Sequence, residues 1–340
     1  MRIFCIFRCC LVALVMVAIF ALSIPASAAT TLSYANFPPA KTFPCVQMER
    51  WKTEVEKRTA GKIKIQTYPG STLLGAKNTL RGVMAGQADI GCISLAYHPG
   101  VFPLCSVMEL PLGFTSSTSA SLALWELFQK YNPKEFKRVK VLTMFASAPS
   151  NIMSKVPVRS LADLKGLEVR ASGILSSILD SLGATPVSMP MSETPESLQK
   201  GVVKGLFSSF EVLKDFNFAE ICRYETETNA AVYPFAVIMN LRTWNSLSDD
   251  VKKVLTDLGR EQAEWTGNYM DKHVEEALKW SKEKYGIEII KLSESDQAEM
   301  SKRTAPLIED WKKISSAKGV DAEAVLNFVE SKKTKYEPSR

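Results

Sequence analysis

Segments with the period of a strand and segments with the period of a helix alternate along this chain, and that alternation restricts the fold more than any other feature. Thr31 to Ala35 reads as a strand, and Pro38-Pro39 turns the chain. Met48, Trp51 and Val55 then fall on one helical face, ended by Thr59-Ala60-Gly61. Lys62 to Thr67 alternates as a half-buried strand does, Pro69-Gly70 is a turn, and Leu80, Val83 and Met84 mark a second helix ended by Gly86. Asp89 to Leu95 is a third strand. A β-α-β-α-β order of this kind folds as a largely parallel sheet with helices on both faces.

A helix near Leu122 to Phe128 and a strand at Val139 to Phe145 follow, and then Ser147 to Pro157, rich in Ser, Pro and Asn, reads as a crossing into a second lobe. A second alternating series begins there. Ser160-Leu161-Ala162-Asp163 is a variant capping box, Leu167 to Ala171 a strand, Ile174 to Leu182 a helix and Thr185 to Val187 a strand. Thr194-Pro195 starts a helix, and Gly205 to Phe210 is strand-like. Cys222 to Thr226 and Pro234 to Asn240 are strand-like again and read as a crossing back. Ser248-Asp249-Asp250 caps a long helix that, if it reaches Tyr285, is roughly 50 Å long and outreaches one small lobe. Ser293 to Lys333 reads as two further amphipathic helices.

The expected fold class is therefore α/β, two lobes with mixed, mostly parallel sheets joined by crossing segments and by a long helix that lies along both. The expected division is a signal peptide over 1–28, lobe I over 29–146 plus about 234–262, lobe II over 147–233 plus about 263–333, and a solvated tail over 334–340. Ligands of such sheets sit beyond the carboxyl ends of the strands, and closure about the crossings buries them between the lobes.

The first residues carry Arg2 and Arg8, an apolar run from Cys10 to Leu22, a break at Pro25 and the small-residue pattern Ala26-Ser27-Ala28. That is the pattern of a cleaved secretory signal, and it predicts a periplasmic location. Net charge is +6 and falls by two when Arg2 and Arg8 leave. With no dense basic stretch, a nucleic-acid partner is not expected. Cys45, Cys92, Cys105 and Cys222 remain in the mature chain, with spacings that fit no zinc signature; they read equally as buried small hydrophobes or as a source of a bridge.

Nothing in the sequence assembles a catalytic site. The two histidines lie apart: His98 in the Tyr97-His98-Pro99-Gly100 turn, and His273 among Asp271, Lys272 and Glu275, where it reads as a solvated surface residue. There is no H-E-x-x-H, no G-x-S-x-G and no phosphate loop, since Gly70 to Gly75 lacks the Lys-Ser/Thr that would follow. The chain is expected to be no enzyme and to need no cofactor or metal.

Pro157 to Arg170 (PVRSLADLKGLEVR), Leu182 to Pro190 (LGATPVSMP) and Leu198 to Gly205 (LQKGVVKG) resemble ordered blocks of the TRAP transporter solute-binding proteins, the DctP-type family. Arg58 to Lys62 with Tyr68-Pro69-Gly70, Gly82 to Asp89, Phe102-Pro103-Leu104, and Met239-Asn240 with Trp244 to Leu247 continue the pattern over nearly the whole mature chain. The resemblance implies the two-lobed periplasmic-binding-protein fold, α/β lobes joined by hinge strands and a long lobe-spanning helix, which close on a small organic acid and deliver it to a two-subunit membrane permease driven by an ion gradient. The partners expected are that ligand and that permease, with the chain itself a monomer. A ligand-presenting sensor subunit and a periplasmic enzyme acting on a carboxylic acid are the alternatives.

The resemblance also places Arg170, at the end of its strand, as the carboxylate clamp. The planar fork of an arginine suits that chemistry. The chain departs from the family, and from its sialic-acid-type members, at several positions. Lys204 stands for an Asp, Leu206-Phe207-Ser208 for Gln-Glu-Asn, Ser94 for a Glu and Phe37 for an Asn. Met191, Phe210 and Tyr233 lie near other pocket positions. Alternation puts Phe207 on the opposite side from Leu206 and Ser208, so Phe207 also reads as core. The expected ligand is a monocarboxylate with an apolar or aromatic body, because polar groups of a sugar acid would lack partners.

Overall fold

The computed structural model describes residues 29–337. The signal-peptide reading falls on residues outside that range. In chain order the strands are β1 (Thr30–Ala35), β2 (Ile63–Tyr68), β3 (Ile90–Ser94), β4 (Val139–Ala146), β5 (Asn151–Ser154), β6 (Glu168–Ala171), β7 (Thr185–Ser188), β8 (Gly205–Ser208), β9 (Tyr224–Glu227), β10 (Pro234–Asn240) and β11 (Glu288–Lys291). The α-helices are α1 (Phe43–Arg58), α2 (Thr79–Ala85), α3 (Ser117–Tyr131), α4 (Ile174–Ser181), α5 (Thr194–Gln199), α6 (Val212–Asp215), α7 (Leu241–Ser246), α8 (Asp249–Tyr285), α9 (Glu294–Thr304), α10 (Pro306–Ala317) and α11 (Ala322–Tyr336).

Two sheets result, ordered β2-β1-β3-β10-β4 and β11-β9-β5-β8-β6-β7. In the first, β2, β1 and β3 are parallel, and β10 enters antiparallel between β3 and β4. Every residue of β3 and β10 is buried, as expected for central strands covered on both faces, whereas edge strand β2 alternates. Met48, Trp51 and Val55, the face read for the first helix, are fully buried on α1, which starts with Pro44 in its first turn. In the second sheet β7, β6 and β8 are parallel and β5 pairs antiparallel with β8 and β9. The capping box at Ser160 and Asp163 is present, opening a short 3-10 turn over Leu161–Leu164.

The two crossings pair with each other. Ser147 N–H donates to Tyr233 O (2.9 Å), Ser150 N–H to Ala231 O (2.8 Å) and Ala230 N–H to Ser150 O (3.1 Å). A hinge therefore consists of two short hydrogen-bonded segments, with α8 as a third connection. At 37 residues α8 is about 55 Å long. It packs on α1, α3 and β4 of the first lobe and on α6 of the second. Gly259 and Gly267 let it lie close: an added Cβ would stand 2.6 Å from the Trp125 ring and 2.5 Å from Thr118 Cα, respectively.

The C-terminal part differs from the sequence reading. It forms three helices rather than two, and α11 continues to Tyr336, so the expected tail is helical over its first residues. The helices from Pro306 onward also pack on the first lobe rather than the second: α11 lies on α3, Phe328 meets Tyr131 edge to face, and Trp311 Nε1 donates to Pro103 O (3.1 Å). The physical reason is that α11 buries Val325, Leu326 and Val329 in the same cluster as the apolar face of α3. Cys45, Cys92, Cys105 and Cys222 are all free and buried, which selects the reading as small hydrophobes.

Candidate functional site

A cavity of about 470 Å³, counting space open to solvent, lies between the lobes. Its walls come from the carboxyl ends of β1, β3, β6 and β8 and from the hinge, where open parallel sheets place their ligands. Of the residues expected there, Phe37, Ser94, Arg170, Met191, Ser208 and Tyr233 line it.

Arg170 is the penultimate residue of β6 and is only 1% exposed. Its Nε and Nη2 both donate to Met189 O (3.0 and 2.7 Å). Nη2 also reaches Tyr97 Oη of the first lobe at 3.4 Å. Nη1 has no hydrogen bond among the described residues. One edge of the guanidinium is thus fixed to backbone, and the other is available to an incoming carboxylate. Tyr97 Oη further accepts from Met191 N–H (3.0 Å). With both lone pairs engaged, its own proton is free to donate. Tyr233 lies 6.0 Å below the guanidinium, and its hydroxyl donates to Phe207 O (3.2 Å).

The rest of the wall is aromatic. Phe37 meets Tyr97 edge to face at 5.4 Å, and Phe43 meets Phe235 at 5.4 Å. Phe145 stacks behind Phe235.

Two expected residues do not line the cavity. Phe207 is fully buried in the large core cluster, because strand alternation turns it away from Ser208, and only its carbonyl serves the site. Phe210 lies past the end of β8 and packs in the second lobe's core with Met153 and Leu213. Lys204, the departure before Gly205, caps Gly201 O (3.1 Å) at the opposite end of the strand.

His273 is not a solvated surface residue. It is 7% exposed, stacks on Tyr269 (5.3 Å), and its Nε2 lies 2.7 Å from Asp215 Oδ1. Trp265, Tyr269 and His273 recur every four residues and form one ladder on α8, a spacing that signals a shared helix face.

Two carboxylates cross the cleft in opposite directions. Asp215, at the end of α6, accepts from Phe43 N–H at the start of α1 (3.2 Å). Glu109 of the first lobe accepts from Ile174 N–H at the start of α4 (2.8 Å). Each thereby meets the positive end of a helix in the other lobe. Burial pushes the Glu109 carboxyl up to about 7, against the opposing effect of the Ile174 hydrogen bond. These two contacts hold the lobes together in this arrangement. Tyr97, Phe43, Phe235, Glu109 and Asp215 carry no motif of their own in the sequence; they reach the site only through the tertiary fold.

A two-lobed fold with hinged sheets and a cationic, aromatic cavity at the strand ends defines a solute-binding protein. The chain belongs to the family of bacterial extracellular solute-binding proteins, family 7, whose model matches residues 34–314. It is similar to a TRAP periplasmic solute-binding protein from Desulfovibrio salexigens DSM2638, with 79% identity over 91% of this chain and 97% of that one, and a TM-score of 0.82. That structure is an open complex with the C-terminus of a symmetry mate in its ligand-binding site. A marine metagenome TRAP protein specific for aromatic acid ligands, in complex with metahydroxyphenylacetate, is 30% identical over 91% of this chain and all of that one, with a TM-score of 0.86. The C4-dicarboxylate-binding protein DctB of Bacillus subtilis is 24% identical over 76% of each chain. Members of this family bind small organic acids for a membrane permease, and they are periplasmic. No helix among the described residues is long and apolar enough to cross a membrane.

Proposed function

We propose that this chain captures a monocarboxylate with an apolar or aromatic body, encloses it by closure of the two lobes, and hands it unchanged to the permease. The observation that carries this reading is Arg170: a buried guanidinium fixed on one edge, with Nη1 left open and the rings of Phe37, Phe43, Tyr97, Tyr233 and Phe235 around the same cavity. A carboxylate on Arg170 gains charge-assisted hydrogen bonds, while the rings desolvate a body that offers few polar groups. A sugar acid or a second carboxylate would leave polar groups unpaired, at about 1–3 kcal/mol each.

Three similarities support it. The 30% identical relative takes aromatic acids. The 79% identical relative holds a C-terminus, which ends in a carboxylate, in its ligand site. Although far closer in sequence, that open complex superposes less well on this chain than the 30% identical ligand complex does, as a hinge rotation between similar lobes would give.

Differential scanning fluorimetry against aliphatic, aromatic, sugar and C4-dicarboxylic acids tests the reading. Aromatic or apolar monocarboxylates should raise the melting temperature; stabilisation by sugar acids or C4 dicarboxylates alone would refute it. Recovery of a chemically altered acid after incubation would favour an enzyme instead.

A further inference from the structure

The cavity has a second pole that the carboxylate clamp does not use. Glu211, three residues past the end of β8, lines the cavity and is 2% exposed, and its Oε2 has no hydrogen-bond partner. The Oγ of Ser209, also on the wall, makes no well-formed hydrogen bond, and it stands close enough to the Glu211 carboxyl to act on it. Arg170 makes no hydrogen bond to Glu211: its Nε and Nη2 bond to Met189 O and Tyr97 Oη, and its open Nη1 is left for the carboxylate. Burial pushes the Glu211 carboxyl well above the usual range; Ser209 beside it opposes this, and the charge of Asp215 adds to it. Asp215 itself is already held by His273 and Phe43 N–H, so it is not the free acceptor.

Buried polar atoms in native proteins are almost always paired, and an orphan in a cavity wall marks where a ligand atom completes the set. A neutral carboxyl offers one O–H donor and one carbonyl acceptor, and a hydroxyl on the ligand can meet either. The cavity therefore asks two things of its occupant: an anionic group for Arg170 and a hydrogen-bonding group, such as a hydroxyl, for Glu211.

We infer that Glu211 is a specificity-determining residue that selects, among monocarboxylates, those bearing a hydrogen-bond donor remote from the carboxylate, a hydroxyl or an amino group. This rests on the monocarboxylate reading above. A neutral Glu211 accepts from a hydroxyl without giving up its proton. An ammonium group would instead draw Glu211 into an ion pair, and a proton would leave on binding.

Isothermal titration calorimetry with matched acids tests it: benzoate against 3-hydroxybenzoate and 3-aminomethylbenzoate. The wild type should bind a donor-bearing acid on the order of tenfold more tightly than benzoate. Glu211→Met, close in size and unable to accept strongly, should reduce that preference to about twofold or less while binding benzoate at least as well. Glu211→Gln, which keeps an acceptor, should retain preference for the hydroxyl acid and lose it for the amine. Titrations in buffers of different ionisation enthalpy separate the two donors, since only the ammonium ligand releases a proton. Equal wild-type affinity for benzoate and both derivatives overturns the inference without touching the monocarboxylate reading, and needs no variant to fold. If no monocarboxylate binds the wild type at all, both fall.

Discussion

Glu109 offers a perturbation whose sign and size follow from its surroundings. It is 3% exposed and accepts one hydrogen bond, from Ile174 N–H across the cleft. Its carboxyl is raised from an ordinary 4.5 to about 7, chiefly by burial. A group whose folded value is raised holds its proton better folded than unfolded. Its stabilising contribution is therefore complete below about pH 4.5 and is lost as pH rises through about 7. The difference of about 2.5 units sets a ceiling of about 3 kcal/mol at 1.36 kcal/mol per unit. Glu109→Gln keeps an oxygen for Ile174 N–H and cannot titrate. His98, Asp310, Lys313 and Lys318 share the cavity that Glu109 also lines, and Tyr233 lies near it. These groups are common to both proteins, so they cancel in the difference. Urea unfolding of the ligand-free proteins at pH 5 and pH 8 should show the wild type losing about 2–3 kcal/mol more than the variant. Parallel pH profiles would refute the assignment of a strained, proton-holding contact between the lobes.

Three further outcomes are expected. Arg170→Lys should weaken acid binding about 10- to 100-fold by calorimetry, because an ammonium cannot both hold Met189 O and present a planar edge to the ligand. Gly173→Ala should favour the open form, since Gly173 has φ +60° and a Cβ would stand 2.0 Å from Glu109 Oε2; small-angle scattering with saturating ligand should read a larger radius than wild type. Phe207→Leu should cost about 1–3 kcal/mol in urea unfolding yet leave acid selectivity unchanged, as befits a core residue outside the cavity wall.

The sequence was most informative where local periodicity and tertiary role coincide. The α1 face of Met48, Trp51 and Val55, the extent of α8 and the position of Arg170 at a strand end are consequences of short-range pattern and of the rule that sheets bind at their carboxyl ends. Where residues meet only through folding, the pattern is silent. Phe43 and Asp215 are 172 positions apart and touch because each lobe places a helix end at the cleft. His273 looked solvated because its sequence neighbours are charged, but helix neighbours are three and four residues away, and Tyr269 is one of them. Phe210 escapes strand alternation because β8 ends at Ser208 and the chain then passes into α6. The three C-terminal helices read as two in the sequence because Ala305, between α9 and α10, is itself helical (φ −52°, ψ −39°), so the break at Pro306 is short.

The most direct test of the carboxylate clamp is mass spectrometry of the small molecules released when the purified wild-type protein and Arg170→Ala are denatured. The wild type should release a monocarboxylic acid with an apolar or aromatic body, chemically intact, and Arg170→Ala should release none. Retention of the same acid by Arg170→Ala, or release of a sugar acid or dicarboxylate by the wild type, would contradict the account.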